Sequence, residues 1–286
     1  MSISSQTDVR IGRRAALSLA GSLAGAAAAG LGGEALAKSS ATAGDDRWRT
    51  DPAQVLRNYM RISGDLSGKV APFRWHGAYV AVLPDANPRV LFACESCETR
   101  KIIVRGPDSY EQWSKVMTVF KDPDTGAILN GTEWKNPFTG QMNKIEPNII
   151  GSKTLFTVGS ADTVIGRRLD TDASETITLK WTAIGDKVQL AAQRPYPEKR
   201  PIPLAELGTT TVDLAALRDS KPLRIEAVFA AVFLSPWQRF MAMPQQPGHS
   251  IWHAVGRKMK GFDELTPEYL EQARIYIPDV LAWAKS

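Results

Sequence analysis

The apolar positions change period shortly after residue 60. Between residues 52 and 63, Val55, Leu56, Tyr59 and Met60 recur at helical spacing, with Asp51 placed to cap the segment, Pro52 suited to its first position and Gly64 ending it. From Phe73 the period becomes two. Phe73, Trp75, Gly77, Tyr79 and Ala81 alternate with Arg74, His76, Ala78, Val80 and Val82, which predicts a strand with one aromatic face. Further strands are predicted at residues 89–94, 100–104, 112–120, 127–134, 153–158, 175–183 and 187–193, the last two joined by a hairpin at Gly185-Asp186. Asp122-Pro123-Asp124-Thr125-Gly126 reads as a turn, and the apolar run 223–234 as the most buried strand. Short helices are predicted at 212–218 and 249–260, and a terminal one capped by Thr266, opened by Pro267 and interrupted by Pro278.

Successive strands without alternating long helices point to a mainly β fold. The expectation is an antiparallel β-barrel or barrel-like sandwich with peripheral helices, an α+β arrangement formed by residues 51–286 as a single domain. The first 37 residues stand apart. Arg10, Arg13 and Arg14 precede an uncharged stretch of small residues ending in Ala35-Leu36-Ala37, the pattern of a cleaved export signal, and the adjacent Arg13-Arg14 pair resembles a twin-arginine signal. Delivery to the periplasm by the twin-arginine machinery is therefore expected, with residues 38–50 as a disordered leader.

Composition narrows the function classes. With 43% hydrophobic residues, 35 Lys+Arg against 30 Asp+Glu and no long basic run, the chain is globular, and nucleic acid is not an expected partner. The glycine and nucleophile motifs of nucleotide-binding proteins and hydrolases, and H-E-x-x-H, are missing. No cofactor is expected. The oligomeric state is left open.

Cys94 and Cys97 form C-E-S-C after a strand-like run. In an oxidising compartment a disulfide is the expectation, with free thiols and a redox dithiol as alternatives. The histidines are His76, His249 and His253. On a helix His249 and His253 would share a face, with Cβ atoms about 5–6 Å apart, a spacing open to a metal; His253 alone suits acid–base chemistry near neutral pH. Trp75, Trp134, Trp237 and Trp252 suit the wall of a ligand cavity, with Lys258 beside His253 and with Arg224 and Glu226 as an inward pair.

Several of these residues carry a resemblance. Trp75-x-Gly77-x-Tyr79, Val119-Phe120-Lys121-Asp122-Pro123-x-Thr125-Gly126, Trp134-x-Asn136-Pro137-x-Thr139-Gly140, Ser235-Pro236-Trp237 and Trp252-His253-Ala254-x-Gly256-x-Lys258 resemble domain of unknown function family 1838. The resemblance implies exported bacterial proteins with fungal relatives and carries no assigned activity. Two functions follow from the residues. One is a cofactor-independent isomerase, cyclase or lyase acting on a small apolar or aromatic molecule in a barrel cavity, with His253 or Tyr79 moving a proton and Arg100 steadying an oxyanion. The alternative is a periplasmic binding protein for an apolar ligand.

Overall fold

The computed structural model describes residues 46–194 and 205–283. Asp51 caps as its position predicts: its carboxylate accepts from the Ala53 amide at 3.0 Å, and helix α2 (Pro52–Ser63) follows a single helical turn, α1 (Arg47–Thr50). The export signal lies outside the described residues. The leader requires a correction at its end, because Trp48 is buried against the core and residues 47–50 belong to the fold.

Ten strands then close a barrel: β1 (Ala71–Val82), β2 (Arg89–Gly106), β3 (Ser109–Lys121), β6 (Asn148–Ser160), β7 (Thr163–Arg168), β8 (Ser174–Ile184), β9 (Lys187–Gln193), β10 (Ala205–Asp213), β11 (Val228–Ser235) and β12 (His249–Lys258). Every pairing is antiparallel, and β1 meets β12 to close the ring, so no edge of the main sheet is left bare. Between β3 and β6 the chain makes a small ribbon of β4 (Glu133–Lys135) and β5 (Met142–Lys144). Helix α3 (Leu214–Arg218) follows β10, and α4 (Pro267–Tyr276) and α5 (Pro278–Trp283) end the described chain. Thr266 caps α4 by accepting from the Tyr269 amide at 3.2 Å.

Three apolar clusters position the interior. Val55, Leu56, Tyr59 and Met60 of α2 pack with Ile102, Phe156, Val164, Ile177, Leu190 and Val212 from strands around the ring, so α2 closes one end. The other end is filled by Tyr79, Phe92, Phe120 and Trp252 together with Trp134, Phe240 and Met241 from the ribbon and a 3-10 turn. The third cluster lies outside, where Tyr269, Ala273 and Ile277 of α4 cover Cys97, Met117 and Val119.

Four expectations need correction. Residues 89–94 and 100–104 belong to one continuous strand, with C-E-S-C inside it rather than running out of its end. Residues 249–258 are strand, not helix: Ser250, Trp252, Ala254, Gly256 and Lys258 face inward while the histidines and Val255 face out, a period of two that the β-branched Ile251 and Val255 favour. Of residues 127–134 only the last two are strand, in β4; 127–132 form a loop across the barrel end, turning at Gly131 with φ +84° and tied by the Phe120 amide donating to Asn130 Oδ1 at 2.7 Å. The run 223–234 becomes strand only from Val228, and Val228 itself is exposed on the outer face.

Candidate functional site

Register decides which side chains share the lumen. Across β2, β1, β12 and β11 the inward rows are Glu98 beside Phe73 beside Lys258, and Ser96 beside Trp75 beside Gly256 beside Phe229. On β10, Glu206 pairs with Phe233 and faces inward with Gly208 and Thr210. The result is an amphipathic lumen: Trp75, Phe229 and Phe233 on one wall, and Ser114, Ser152 and Thr154 on the β3–β6 wall, with Trp75 and Phe229 meeting edge to face at 5.4 Å between centroids.

The floor of this space is charged. Arg100 donates to both carboxylate oxygens of Glu98 at 2.8 Å each, with its guanidinium 4.7 Å above the Phe73 ring. Burial works to raise the Glu98 carboxyl, but the charge and hydrogen bonds of Arg100 outweigh it, holding Glu98 below the ordinary carboxylate range. Arg194 is paired with Glu175 at 2.8 Å and lies beside Tyr59 of α2. Glu206 is the remaining carboxylate. Among the described residues it makes no hydrogen bond or close ion pair, and burial raises it above the ordinary value, with the Arg194 charge opposing.

Few of the residues chosen from the sequence meet here. Trp75 and Arg100 do, although Arg100 is fully engaged by Glu98 and is not free to hold an oxyanion. Tyr79 faces inward but is sealed: its hydroxyl donates to Met241 Sδ at 3.4 Å and accepts from the Gln238 amide at 3.2 Å, and burial pushes it up to about 12. Trp252 donates to Ser235 Oγ at 2.9 Å within the filled end, where Trp134 packs on Phe92; Trp237 is stacked near Phe138. Lys258 is buried, its Nζ enclosed by the carbonyl oxygens of Arg61, Ile62, Gly64 and Ile225 at 2.5–3.1 Å.

The other residues singled out by the sequence lie outside the lumen. His253 pairs with Ala78 and Val232 on the outer face, because its neighbour Trp252 takes the inward position. His249 is on the same outer face, and four residues along a strand separate the two by about 13 Å, too far for one metal. No group of three metal-ligating side chains occurs among the described residues. Arg224 and Glu226 do pair, at 3.0 Å, but flank the inward Ile225, and Glu226 is exposed.

The disulfide is also corrected. Cys94 and Cys97 are free, and three strand residues put them about 10 Å apart on opposite faces, Cys94 in the aromatic end and Cys97 under α4. Burial pushes the Cys97 thiol up to about 12 and raises Cys94 as well, so neither is a reactive thiolate. Denatured, unreduced protein is expected to take up two equivalents of iodoacetamide, and native protein close to none; no uptake after denaturation would contradict this placement.

Glu206 escaped the sequence reading because its strand is patterned in reverse. Apolar Leu207 faces out and is 68% exposed, while the charged Glu206 faces in. The usual rule that apolar residues point inward would have put it on the surface.

These features define a closed ten-stranded antiparallel barrel with filled ends and a charged, aromatic-walled lumen. The family model described as "Protein of unknown function (DUF1838)" matches residues 68–280, and the chain belongs to that family. No curated protein matches it.

Proposed function

We propose that the barrel is a cofactor-independent enzyme of isomerase or lyase type, holding a small, mainly aromatic or apolar molecule in its lumen and moving a proton with Glu206. The observation that carries this reading is the position of Glu206: a carboxylate on the lumen wall with no hydrogen bond or close ion pair among the described residues, opposite Phe233 and within the field of Arg194 and Arg100. A carboxyl raised by burial transfers protons closer to neutral pH than an ordinary one does. The twin-arginine export and periplasmic setting expected from residues 1–37 belong to the same proposal.

The pairing of Arg100 with Glu98 and of Arg194 with Glu175 favours a second reading, binding without chemistry, because neither cation is free for an oxyanion. Mass spectrometry of small molecules retained by the purified protein, followed by a turnover assay on them, separates the two. In the enzyme reading Glu206→Gln lowers kcat by about 100-fold or more, and His253→Gln, altered on the outer face, leaves it unchanged. Full activity in Glu206→Gln removes the proposed role; a retained compound that is never converted leaves the binding reading.

The raised carboxyl has a signed consequence for stability. Folded protein holds a proton on Glu206 that the unfolded chain has released, so the contribution of this group falls as pH rises above about 4.3. Glu206→Gln is expected to flatten that part of the pH–stability curve, as read from urea midpoints.

A further inference from the structure

The charge count of the lumen identifies the class of molecule it takes. This inference rests on the lumenal reading above and adds the sign of the ligand's charge. Arg100 is held at both carboxylate oxygens of Glu98, and Arg194 is held by Glu175. Arg168, also inward on β7, is held by Asp170. Each lumenal guanidinium named here is therefore matched by a carboxylate already. Lys258 sits behind Phe73 with its ammonium enclosed by four carbonyls, so it is not available to a ligand.

Among the described residues Glu206 has no hydrogen bond or close ion pair, and only longer-range charges, those of Arg194, Glu98 and Arg100, act on it. Its carboxylate oxygen Oε1 lies 3.5 Å from the position a Cβ would take on Gly208, so it folds over bare backbone rather than over a side chain that might pair with it. The ring of Phe233 is on the adjacent strand, with Phe229 and Trp75 further along the same wall. A spare negative charge beside aromatic faces is the arrangement that attracts an organic cation, by ion pairing at the carboxylate and by cation–π contact with the rings. An anionic ligand would find Arg100, Arg168 and Arg194 each engaged by a carboxylate and the Glu206 carboxylate facing it.

We infer that the lumen recognises a primary amine carried on an aromatic or apolar body, its ammonium pairing with Glu206 against the Trp75–Phe229–Phe233 wall. Burial raises the Glu206 carboxyl and so favours its protonated form, whereas an ammonium paired with it favours the ionised form; docking therefore draws a proton off, and affinity should rise with pH while the amine stays charged.

The test compares three probes on one phenethyl body, phenethylamine, 2-phenylethanol and 3-phenylpropanoate, by isothermal titration calorimetry on the full-length protein in two buffers of different ionisation enthalpy. The expected result is phenethylamine bound at least tenfold tighter than either other probe, with a buffer-dependent enthalpy reporting proton release. Glu206→Gln should bring phenethylamine to the level of the alcohol. Equal or tighter binding of the alcohol or the carboxylate overturns the amine assignment while keeping the lumenal site. Binding of none of the three at millimolar concentration removes the lumenal reading as well. The buffer comparison needs only wild-type protein, so it decides the question even if Glu206→Gln does not fold.

Discussion

Lys258→Met is expected to lower stability by about 3–5 kcal/mol, read as a fall in the urea midpoint at unchanged slope. The ammonium at this position gathers the carbonyls of Arg61, Ile62 and Gly64, at the end of α2, and of Ile225, from the segment leading into β11. The first three carbonyls lie at or just beyond the C-terminus of α2, where intrahelical partners run out, and a cation there also answers the helix dipole. Burial, with the Arg224 charge adding to it, works to lower the lysine below its ordinary value, and the four converging carbonyl oxygens oppose this by favouring the protonated form. Methionine fills a similar volume with no donor and strands the carbonyls of Ile62, Gly64 and Ile225, leaving that of Arg61 with only the Ile225 amide. Arginine is not an expected substitute, because its flat, wider guanidinium cannot point at four oxygens converging on one nitrogen. A Lys258→Met protein within 1 kcal/mol of wild type would mean that water satisfies the cage.

Gly77→Ala is expected to be at least as damaging. A Cβ at residue 77 would stand 1.7 Å from the carbonyl oxygen of His253 and 2.8 Å from its carbon, both backbone atoms of the neighbouring strand. A rotamer change cannot relieve that contact. The strands must separate where β1 and β12 pair, at Gly77 opposite Ala254, and the expected cost is about 3 kcal/mol or more, or loss of soluble protein. Ala78→Gly, one residue away on the outer face, is the control and should cost about 1 kcal/mol. Equal stability of the two variants would show that the seam is looser than its geometry.

Much of the architecture was legible where local chemistry and register agree. The caps at Asp51 and Thr266 announced their helices because the side-chain acceptors serve neighbouring amides, independent of distant packing. Strand β9 was bounded correctly because Gly185, at φ +61°, marks the hairpin before it. Parity was harder. Trp252 and His253 are adjacent, so only one can face the lumen, and the choice depends on pairing with β1 and β11 rather than on either residue alone. The same ambiguity hid Glu206 behind Leu207. Spacing misled at C-E-S-C and at the two histidines, where separations of three and four suggest a turn or a helix but also occur in unbroken strands. Arg100 and Trp75 were found because a charge or a large ring inside an alternating run is informative on any face.

The seam between β1 and β12 also governs how the chain can be made. Val82 pairs with His249, so during synthesis the open side of β1 has no partner until the last barrel strand has left the ribosome. At about 5–20 residues per second that wait is on the order of ten seconds or more. Through that interval the nascent sheet presents an unprotected edge, and pairing between neighbouring nascent chains competes with ring closure. Yield of this protein should therefore respond to translation speed and to chaperones that shield strand edges more than to the stability of the finished barrel.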